Sequence, residues 1–460
     1  MKLLTLIAAT LPFLGSPAFA QTSQPQPTAI TAFVSVNLLP MDSDRIVRDQ
    51  TVLVENGKIV AIGSAVPIPD KARVIDGHGA FLSPGLADMH VHSDTTGDML
   101  VYLANGVTTV LNMGEASNGF MAEVRPEINR GKIAGPHVYA GFLVDGTPQY
   151  GHFVVATPGQ ARAIVGLAKT NGYEFIKVYN NLSPASFQAL IEEGRRQQIA
   201  VIGHGVTRVG LERQLDAGQV LVAHAEEFFY TTFAHPDKKK PAASEQMNSA
   251  PDPAEIPAAI AFIKRNKAFI TADIITYATI AQQWGKPEVV ERYLHMPEIR
   301  YVTPARRIRW REDDYAERKG SLNARLEFLQ RFIKEMAQAD VPLVTGTDAP
   351  AIPGLAPGFS LHDDMRALEQ AGLSRYQVLS AATRTPGELI RRSVPNAEPF
   401  GTIKVGNRAD LILSAKNPLD DLATLRTPLG VMANGNWHAE PELHALLDQV
   451  ATKYDRAFKP

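Results

Sequence analysis

Five short apolar segments of this chain each contain or end in side chains that can bind a metal ion. In chain order these side chains are His90 and His92 on one segment, then Lys177, His204, His224 and Asp348. Alternate residues of a strand point to the same face, so His90 and His92 can hold one ion together. Imidazole and carboxylate groups bind zinc and similar divalent ions, which lower the pKa of a bound water toward neutrality. The set therefore predicts a metal centre that makes hydroxide from water, with Asp348 able to accept the proton.

Lys177 is the unusual member of this set, because an ammonium group repels a nearby dication and the ordinary pKa of a lysine is about 10.4. Two interpretations are open. Lys177 is either an ordinary strand lysine that reaches a carboxylate, or its amine carries carbon dioxide as an anionic carbamate that bridges two metals. The apolar neighbours in Phe175-Ile-Lys-Val-Tyr179 place this lysine inside the protein and favour the carbamate.

The segments that hold these residues belong to a regular series of apolar runs that alternate with helical patterns. The runs are residues 82–92, 106–113, 137–144, 174–179, 200–206, 220–225, 268–277 and 341–347. Helical patterns between them include residues 158–170, 184–197 and 322–339. Eight strand–helix units close naturally into an α/β (β/α)8 TIM barrel, whose active residues lie at the carboxyl ends of the strands. An open doubly wound sheet is the alternative, but no Gly-x-Gly-x-x-Gly loop follows the first strand.

Short strand patterns flank this central region on both sides. The turn Asn56-Gly57 separates two of them, the turn Asn434-Gly435 lies near the other end, and residues 401–405 and 409–413 are further predicted strands. We expect both chain ends to build one small composite β-sandwich. The predicted domains are a signal peptide at 1–20, a disordered leader at 21–29, β-sandwich residues 30–82, the metal-dependent hydrolase TIM barrel at 83–395 with insertions within 233–320, β-sandwich residues 396–440, and a C-terminal helix or tail at 441–460.

The N-terminal residues are typical of an export signal. Lys2 precedes the mostly apolar residues 3–14, and Ala18-Phe19-Ala20 has the small-x-small pattern of a cleavage site. We therefore predict cleavage after Ala20 and a periplasmic or secreted location.

The composition restricts the partners of the protein. The chain has 460 residues, a formal net charge of -2 and no cysteine. A charge this close to neutral disfavours nucleic acid or a membrane as the main partner, and we expect the basic block at 306–311 to be a solvated face. Without cysteine there is no disulfide or thiolate ligand, so His, Asp, Glu or Lys must bind any metal. We expect a small-molecule amide substrate, no nucleic acid and no membrane partner; a homo-oligomer is one option that the sequence leaves open.

Two motifs in these segments resemble those of a known superfamily. Leu82-Ser-Pro-Gly-Leu-Ala-Asp-Met-His-Val-His92 and Leu343-Val-Thr-Gly-Thr-Asp-Ala-Pro350 resemble the strand-one and strand-eight motifs of the amidohydrolase superfamily. Phe175-Ile-Lys-Val-Tyr179 and Gly203-His-Gly205 resemble its imidazolonepropionase/prolidase-like branch. The resemblance implies a (β/α)8 barrel with one or two metals, usually zinc. His90, His92 and Asp348 would bind one metal, His204 and His224 the second, and a carboxylated Lys177 would bridge them; an unmodified lysine would imply a single metal.

The same resemblance suggests two further site residues. Prolidase-like relatives have a Gly-Gly-His segment after strand three, whose histidine contacts the substrate carbonyl; Gln149-Tyr-Gly-His152 lies there, so His152 is the candidate. Tyr150 replaces the first glycine and puts the local loop shape in doubt. Tyr230, after strand six, is a candidate to hold a substrate carboxylate or carbonyl, the alternative being a packed loop aromatic.

These observations together predict a hydrolase that cleaves an amide C–N bond by attack of a metal-bound hydroxide, in a dipeptide, an N-acyl amino acid or a similar small amide. Asp348 would be the general base. The alternative is hydrolysis of a cyclic amide, a lactone or another ester, or a deamination, at the same metal site. A barrel that binds a ligand without turnover is the hypothesis from a different class.

Overall fold

The structure is a computed structural model, and it describes residues 30–234 and 248–456. The predicted signal peptide and leader, and the lysines at 238–240, lie outside the described residues. Within the described ranges no helix is both long enough and apolar enough to cross a membrane.

Eight parallel strands form the central sheet. In chain order they are β6 (Leu86–Val91), β7 (Val107–Asn112), β8 (His137–Asp145), β10 (Phe175–Val178), β11 (Ala200–Gly203), β12 (Leu221–Val222), β13 (Phe269–Thr271) and β14 (Leu343–Val344), and β9 (Phe153–Val154) pairs with β8. The segment after β14 returns to the first strand of the sheet: Met89 N donates to Thr345 O at 2.9 Å, and Asp348 N donates to His90 O at 2.8 Å. The sheet is therefore closed nearly into a barrel, as the sequence predicts.

The helices lie between these strands and after them. Their bounds are Thr96–Ala104, Arg125–Asn129, Pro158–Thr170, Pro184–Gln197, Leu211–Ala217, Phe228–Thr231, Ile256–Asn266, Ile274–Gln283, Pro287–Tyr293, Pro304–Arg311, Asn323–Gln338, Phe359–Gln370, Arg375–Ala382, Arg384–Ser393 and Glu440–Arg456. The helices predicted at 158–170 and 184–197 are found with these bounds in the structure, because each helix has a local start signal. Thr157 and Ser183 cap the two helices through their side chains, and a proline follows each cap.

The alternation along β10 explains how a lysine comes to lie inside the barrel. Ile176 and Val178 are buried in the layer formed with the flanking helices, whereas Phe175 belongs to the cluster of buried side chains that includes residues of other barrel strands. Lys177 follows Phe175 by two residues and so shares its inward face. Its side chain is consequently only 1% exposed.

A second, mixed sheet is built from both ends of the chain. Its strands are β1 (Ile30–Leu38), β2 (Val47–Glu55), β3 (Lys58–Gly63), β4 (Arg73–Asp76), β5 (Phe81–Pro84), β15 (Leu411–Ser414), β16 (Gly430–Ala433) and β17 (Asn436–Ala439), and β15 pairs with β5 in antiparallel register. The prediction of a strand at 401–405 is wrong. Gly401 has a φ of 84°, which turns the backbone out of the extended conformation, and no strand is found there. The helix Glu440–Arg456 follows the last strand and packs on Thr96–Ala104.

A buried ion pair joins this mixed sheet to the barrel. Arg408 Nε donates to Asp410 Oδ2 at 2.6 Å, and Arg408 Nη2 donates to Thr109 Oγ1 of β7 at 2.7 Å. Both charged side chains are almost fully inaccessible to solvent. Removal of one partner leaves an uncompensated buried charge.

We expect Asp410→Ala to lower the free energy of unfolding by about 3–5 kcal/mol because Arg408 would lose its counter-charge. Urea unfolding of metal-free protein followed by circular dichroism measures this. Asp42→Ala is the matched control: Asp42 also pairs with an arginine, Arg45, at 2.7 Å, but this pair is about half exposed. It is expected to cost less than about 1 kcal/mol. Equal losses in the two variants would contradict the prediction.

Candidate active site

Asp348 lies between the two histidines of the first barrel strand. Its Oδ1 is 3.3 Å from His90 Nε2 and 3.1 Å from His92 Nε2. The backbone of Asp348 is in the left-handed region with a φ of 59°, which aspartate tolerates better than most residues. The hydrogen bond from Asp348 N to His90 O keeps the ends of the two strands together and so fixes this arrangement.

The other three candidate ligands come to the same end of the barrel. Lys177 Nζ is 3.1 Å from His90 Nε2, and the ring centre of His224 is 4.2 Å from that of His90. The ring of His204 lies next to that of His224, and the two ring centres are 4.9 Å apart. Among the described residues, His90, His224 and Asp348 each offer a ligand atom within 4.8 Å of the others, so they could hold a metal ion. The structure thus brings together all six residues that the sequence analysis singled out for the metal centre.

Three of the four imidazoles form a hydrogen bond through Nδ1, and the Nδ1 atom of the fourth, His204, lies close to a carboxylate. His90 Nδ1 is 3.0 Å from Ala223 O, and His92 Nδ1 is 3.2 Å from Gly114 O. The partners of the other two are carboxylates: His224 Nδ1 is 2.5 Å from Asp273 Oδ2, and His204 Nδ1 is 2.5 Å from Glu227 Oε1. A histidine that donates through Nδ1 has its lone pair on Nε2, which is the arrangement that metal-binding histidines use.

The ionisation of these groups fits a divalent cation. Burial lowers the pKa of His90 and of His204 well below the ordinary histidine value, so both rings are neutral and keep a lone pair. Burial opposes ionisation of Asp348, but the hydrogen bond and charge of His92 lower the pKa of this carboxyl to about 2. Neutral imidazoles around an ionised carboxylate form a donor set of the kind that binds zinc and related metals.

The burial of Lys177 disfavours the charged ammonium form of its side chain. Its nearest polar contact is another base, His90 Nε2, at 3.1 Å. Burial lowers the pKa of the Lys177 amine to about 8, against the opposing charge of Asp348. An amine with this pKa is neutral in part of the molecules near neutral pH, and the neutral form is the one that reacts as a nucleophile.

No family model matches the chain, but parts of it are similar to curated proteins, and solved structures share its fold. The chain is 28% identical to dihydroorotase of Geobacter sulfurreducens over 182 residues, 38% of each protein. It is 40% identical to imidazolonepropionase of Idiomarina loihiensis over 63 residues, 13% of this chain and 15% of that protein. The matches therefore span less than two fifths of these curated relatives. A solved structure of bottromycin amidohydrolase shares the fold with a TM-score of 0.70 at 21% identity, covering 92% of this chain and 90% of the other.

These matches agree with the resemblance to the amidohydrolase superfamily, and the solved structure shows the same fold. The motifs that carry the resemblance are those that bring His90, His92 and Asp348 to one point. Membership of the imidazolonepropionase/prolidase-like branch stays a prediction.

A cleft of about 620 Å³ opens beside His92. His152, one of the two further candidates, lines it; its ring centre is 4.7 Å from that of Tyr179, and burial lowers the pKa of the imidazole. The sequence analysis left the loop shape around Tyr150 in doubt. In the structure, residues Pro148–Tyr150 form a short 3-10 turn, after which Gly151 has a φ of 75°. Tyr230, the other candidate, is on the helix Phe228–Thr231, is 43% exposed and is not among the residues that line this cleft.

Three residues of this site were not assigned a role from the sequence. Tyr179 stacks near His204, with ring centres 4.1 Å apart. Glu227 and Asp273 contact the Nδ1 atoms of His204 and His224. Asp273 lies within the apolar run 268–277 and two residues after the strand Phe269–Thr271, where active residues occur in such barrels, so its place near the end of strand seven was an available signal.

We expect Asp273→Ala to weaken metal binding by about 10- to 100-fold, because the ring of His224 would lose the acceptor that orients it. Metal affinity can be measured by competition with a chromogenic chelator. The exposed Asp44, replaced by alanine, serves as the control for loss of one negative charge. If metal affinity is unchanged in Asp273→Ala, Asp273 does not orient a metal ligand.

Proposed function

We propose that this protein is a metal-dependent hydrolase that cleaves an amide C–N bond in a small-molecule substrate. The observation that carries the proposal is the convergence of four imidazoles, Lys177 and an ionised Asp348 at the carboxyl ends of separate barrel strands. The dihydroorotase and amidohydrolase matches support it.

We assign the residues as two ligand sets for zinc. One set would be His90, His92 and Asp348, the second would be His204 and His224, and Lys177 as an N6-carbamate would bridge them. A metal bound here supplies Lewis acidity for the substrate carbonyl and lowers the pKa of water toward neutrality. The burial of Lys177 and its lowered pKa support the carbamate, because the neutral amine is the form that reacts with carbon dioxide.

The remaining steps belong to side chains of this chain. Asp348, ionised and beside the candidate ligands, accepts the proton from the attacking water and returns it to the leaving nitrogen. His152 lines the cleft next to His92 and is placed to donate a hydrogen bond to the substrate carbonyl oxygen. Tyr230 is kept as a candidate to hold a substrate carboxylate or carbonyl, although it does not line the cleft.

The proposal is tested by assaying zinc-loaded protein against panels of N-acyl amino acids, dipeptides, cyclic amides, lactones and esters, with and without a chelator. Chelator-sensitive hydrolysis of linear amides is the expected result. Turnover restricted to cyclic amides or lactones would replace the proposed substrate by the alternative one. Bound metal with no turnover of any panel member, or turnover that survives complete metal removal, would contradict the proposal.

We also propose that the protein is exported and works on a small molecule, without a nucleic-acid or membrane partner; its assembly into a homo-oligomer is a further possibility to test by sedimentation. The support for export is the N-terminal pattern that ends at Ala20. N-terminal sequencing of the protein from the periplasm of a bacterial host would identify the cleavage site. A full-length chain that stays in the cytoplasm would contradict export.

A further inference from the structure

The helix Pro304–Arg311 is fixed to the end of the barrel that carries the candidate metal site. Thr303 caps its start by accepting a hydrogen bond from Arg306 N. Trp310, 1% exposed, donates from Nε1 to Pro350 O at 2.9 Å, two residues after Asp348. Arg306 lies four residues before Trp310 and therefore on the same face of the helix. The basic block is thus a wall of the active-site mouth on one side, contrary to our expectation of a merely solvated face.

Two guanidinium groups of this helix reach the cleft beside the metal site. Arg306 and Arg309 line the same cavity as His92 and His152. Arg306 is half-buried, yet among the described residues neither arginine has an ion-pair partner or a side-chain hydrogen bond. An arginine has five N–H donors. A partly buried arginine whose donors have no acceptors is strongly stabilised when an anion binds to it.

The other charged groups around Arg306 do not act as its ion-pair partners. The carboxylates of Glu115, Asp98 and Asp348 favour its charged form, while Arg309 and burial oppose it. None of these three carboxylates comes within ion-pair distance of Arg306 in the described part of the chain. Asp94 and Glu115 also line the cleft, so a singly charged anion is favoured there over a doubly charged phosphate.

The rest of the cleft wall is apolar. Phe142 and Phe153 stack with ring centres 5.0 Å apart, and Tyr173 packs edge-on against Phe142. Phe153 is 63% exposed. An apolar side chain on the substrate would cover this exposed aromatic surface.

We propose that Arg306 and Arg309 bind a carboxylate of the substrate, so that the protein acts on small amides with a free carboxylate and an apolar side chain, such as N-acyl derivatives of apolar amino acids. This inference rests on the proposed amide hydrolysis and names the substrate class. A carboxylate fits because its two oxygens match the planar fork of a guanidinium.

The test is a binding measurement that requires no turnover. The probes are N-methanesulfonyl-L-phenylalanine, whose sulfonamide resists hydrolysis, its C-terminal carboxamide, and inorganic phosphate. Each is titrated calorimetrically into zinc-loaded wild type, Arg306→Gln and Arg311→Gln. Arg311 is the matched control, since it is an exposed arginine of the same helix that does not line the cleft. Thermal unfolding checks that the variants remain folded.

We expect the wild type to bind the carboxylate probe about 10- to 100-fold more tightly than the carboxamide, the range for a hydrogen-bonded charge. Arg306→Gln should lose most of that preference, and Arg311→Gln should keep it. Equal affinity for the two probes, no binding of the carboxylate, tighter binding of phosphate, or a preference that survives Arg306→Gln would each overturn the inference. Failure of the substrate panel alone would overturn amide hydrolysis and leave the binding preference intact.

Discussion

Replacing Asp348 by asparagine is expected to lower kcat/KM by about 10²- to 10⁴-fold, the range for loss of a general base. Asparagine has nearly the same shape and tolerates the positive φ of 59° at this position, so the fold should be kept. It cannot accept a proton from water, and it is a weaker ligand than a carboxylate. The loss should therefore appear in kcat. The metal content, measured on the same samples, separates the loss of proton transfer from the loss of metal binding.

The chain offers a closely matched control for this substitution. Asp340 also has a positive φ, 56°, and lies just before strand β14 at the opposite end from Asp348, exposed to solvent. Asp340→Asn makes the same chemical change in the same backbone conformation, and we expect wild-type kcat/KM. Retention of full activity in Asp348→Asn would remove this residue from the proposed chemistry.

The second large effect is expected at Lys177. Lys177→Ala should lower kcat/KM by about 10²- to 10³-fold, comparable to the loss of one group that stabilises developing charge. The reason is that the proposed carbamate on Lys177 would link the ligand pair His204 and His224 to the first set, and its removal would break that link. Metal analysis should show less than the wild-type content per chain.

Chemical rescue distinguishes the two interpretations of Lys177. The alanine variant leaves a buried space beside His90, where the amine now lies 3.1 Å from His90 Nε2. If the working group is a carbamate, added acetate or propionate should restore part of the activity, because a small carboxylate can replace it. Restoration by an alkylamine, and not by a carboxylate, would identify the free amine as the working group. Labelled bicarbonate and carbon NMR provide an independent test of the carbamate in the wild type.

Local patterns in the sequence were sufficient to predict the barrel and the residues at its strand ends. The alternation in Phe175-Ile-Lys-Val-Tyr179 placed Lys177 on the inward face, and parallel strands necessarily bring their carboxyl ends to one side of a closed sheet. Proline and a capping residue marked the starts of the helices at 158 and 184. In each case the signal lies within a few residues of the feature that it predicts.

Other features depend on residues far apart in the chain. Asp273 reaches His224 across 49 positions, and Trp310 reaches Pro350 across 40 positions. The strand predicted at 401–405 fails for a related reason, since Gly401 turns to lie against Thr383 O of the preceding helix. Such pairings produce no periodicity in the sequence.

The amino-acid sequence by itself therefore determined the order of strands and helices and the end of the barrel at which chemistry can occur, because hydrophobic alternation and helix caps act locally. Only the tertiary structure decided which acids orient His204 and His224, and that a basic helix from an insertion lies beside the cleft. Those contacts depend on how distant segments pack, and packing distances are a property of the folded chain as a whole.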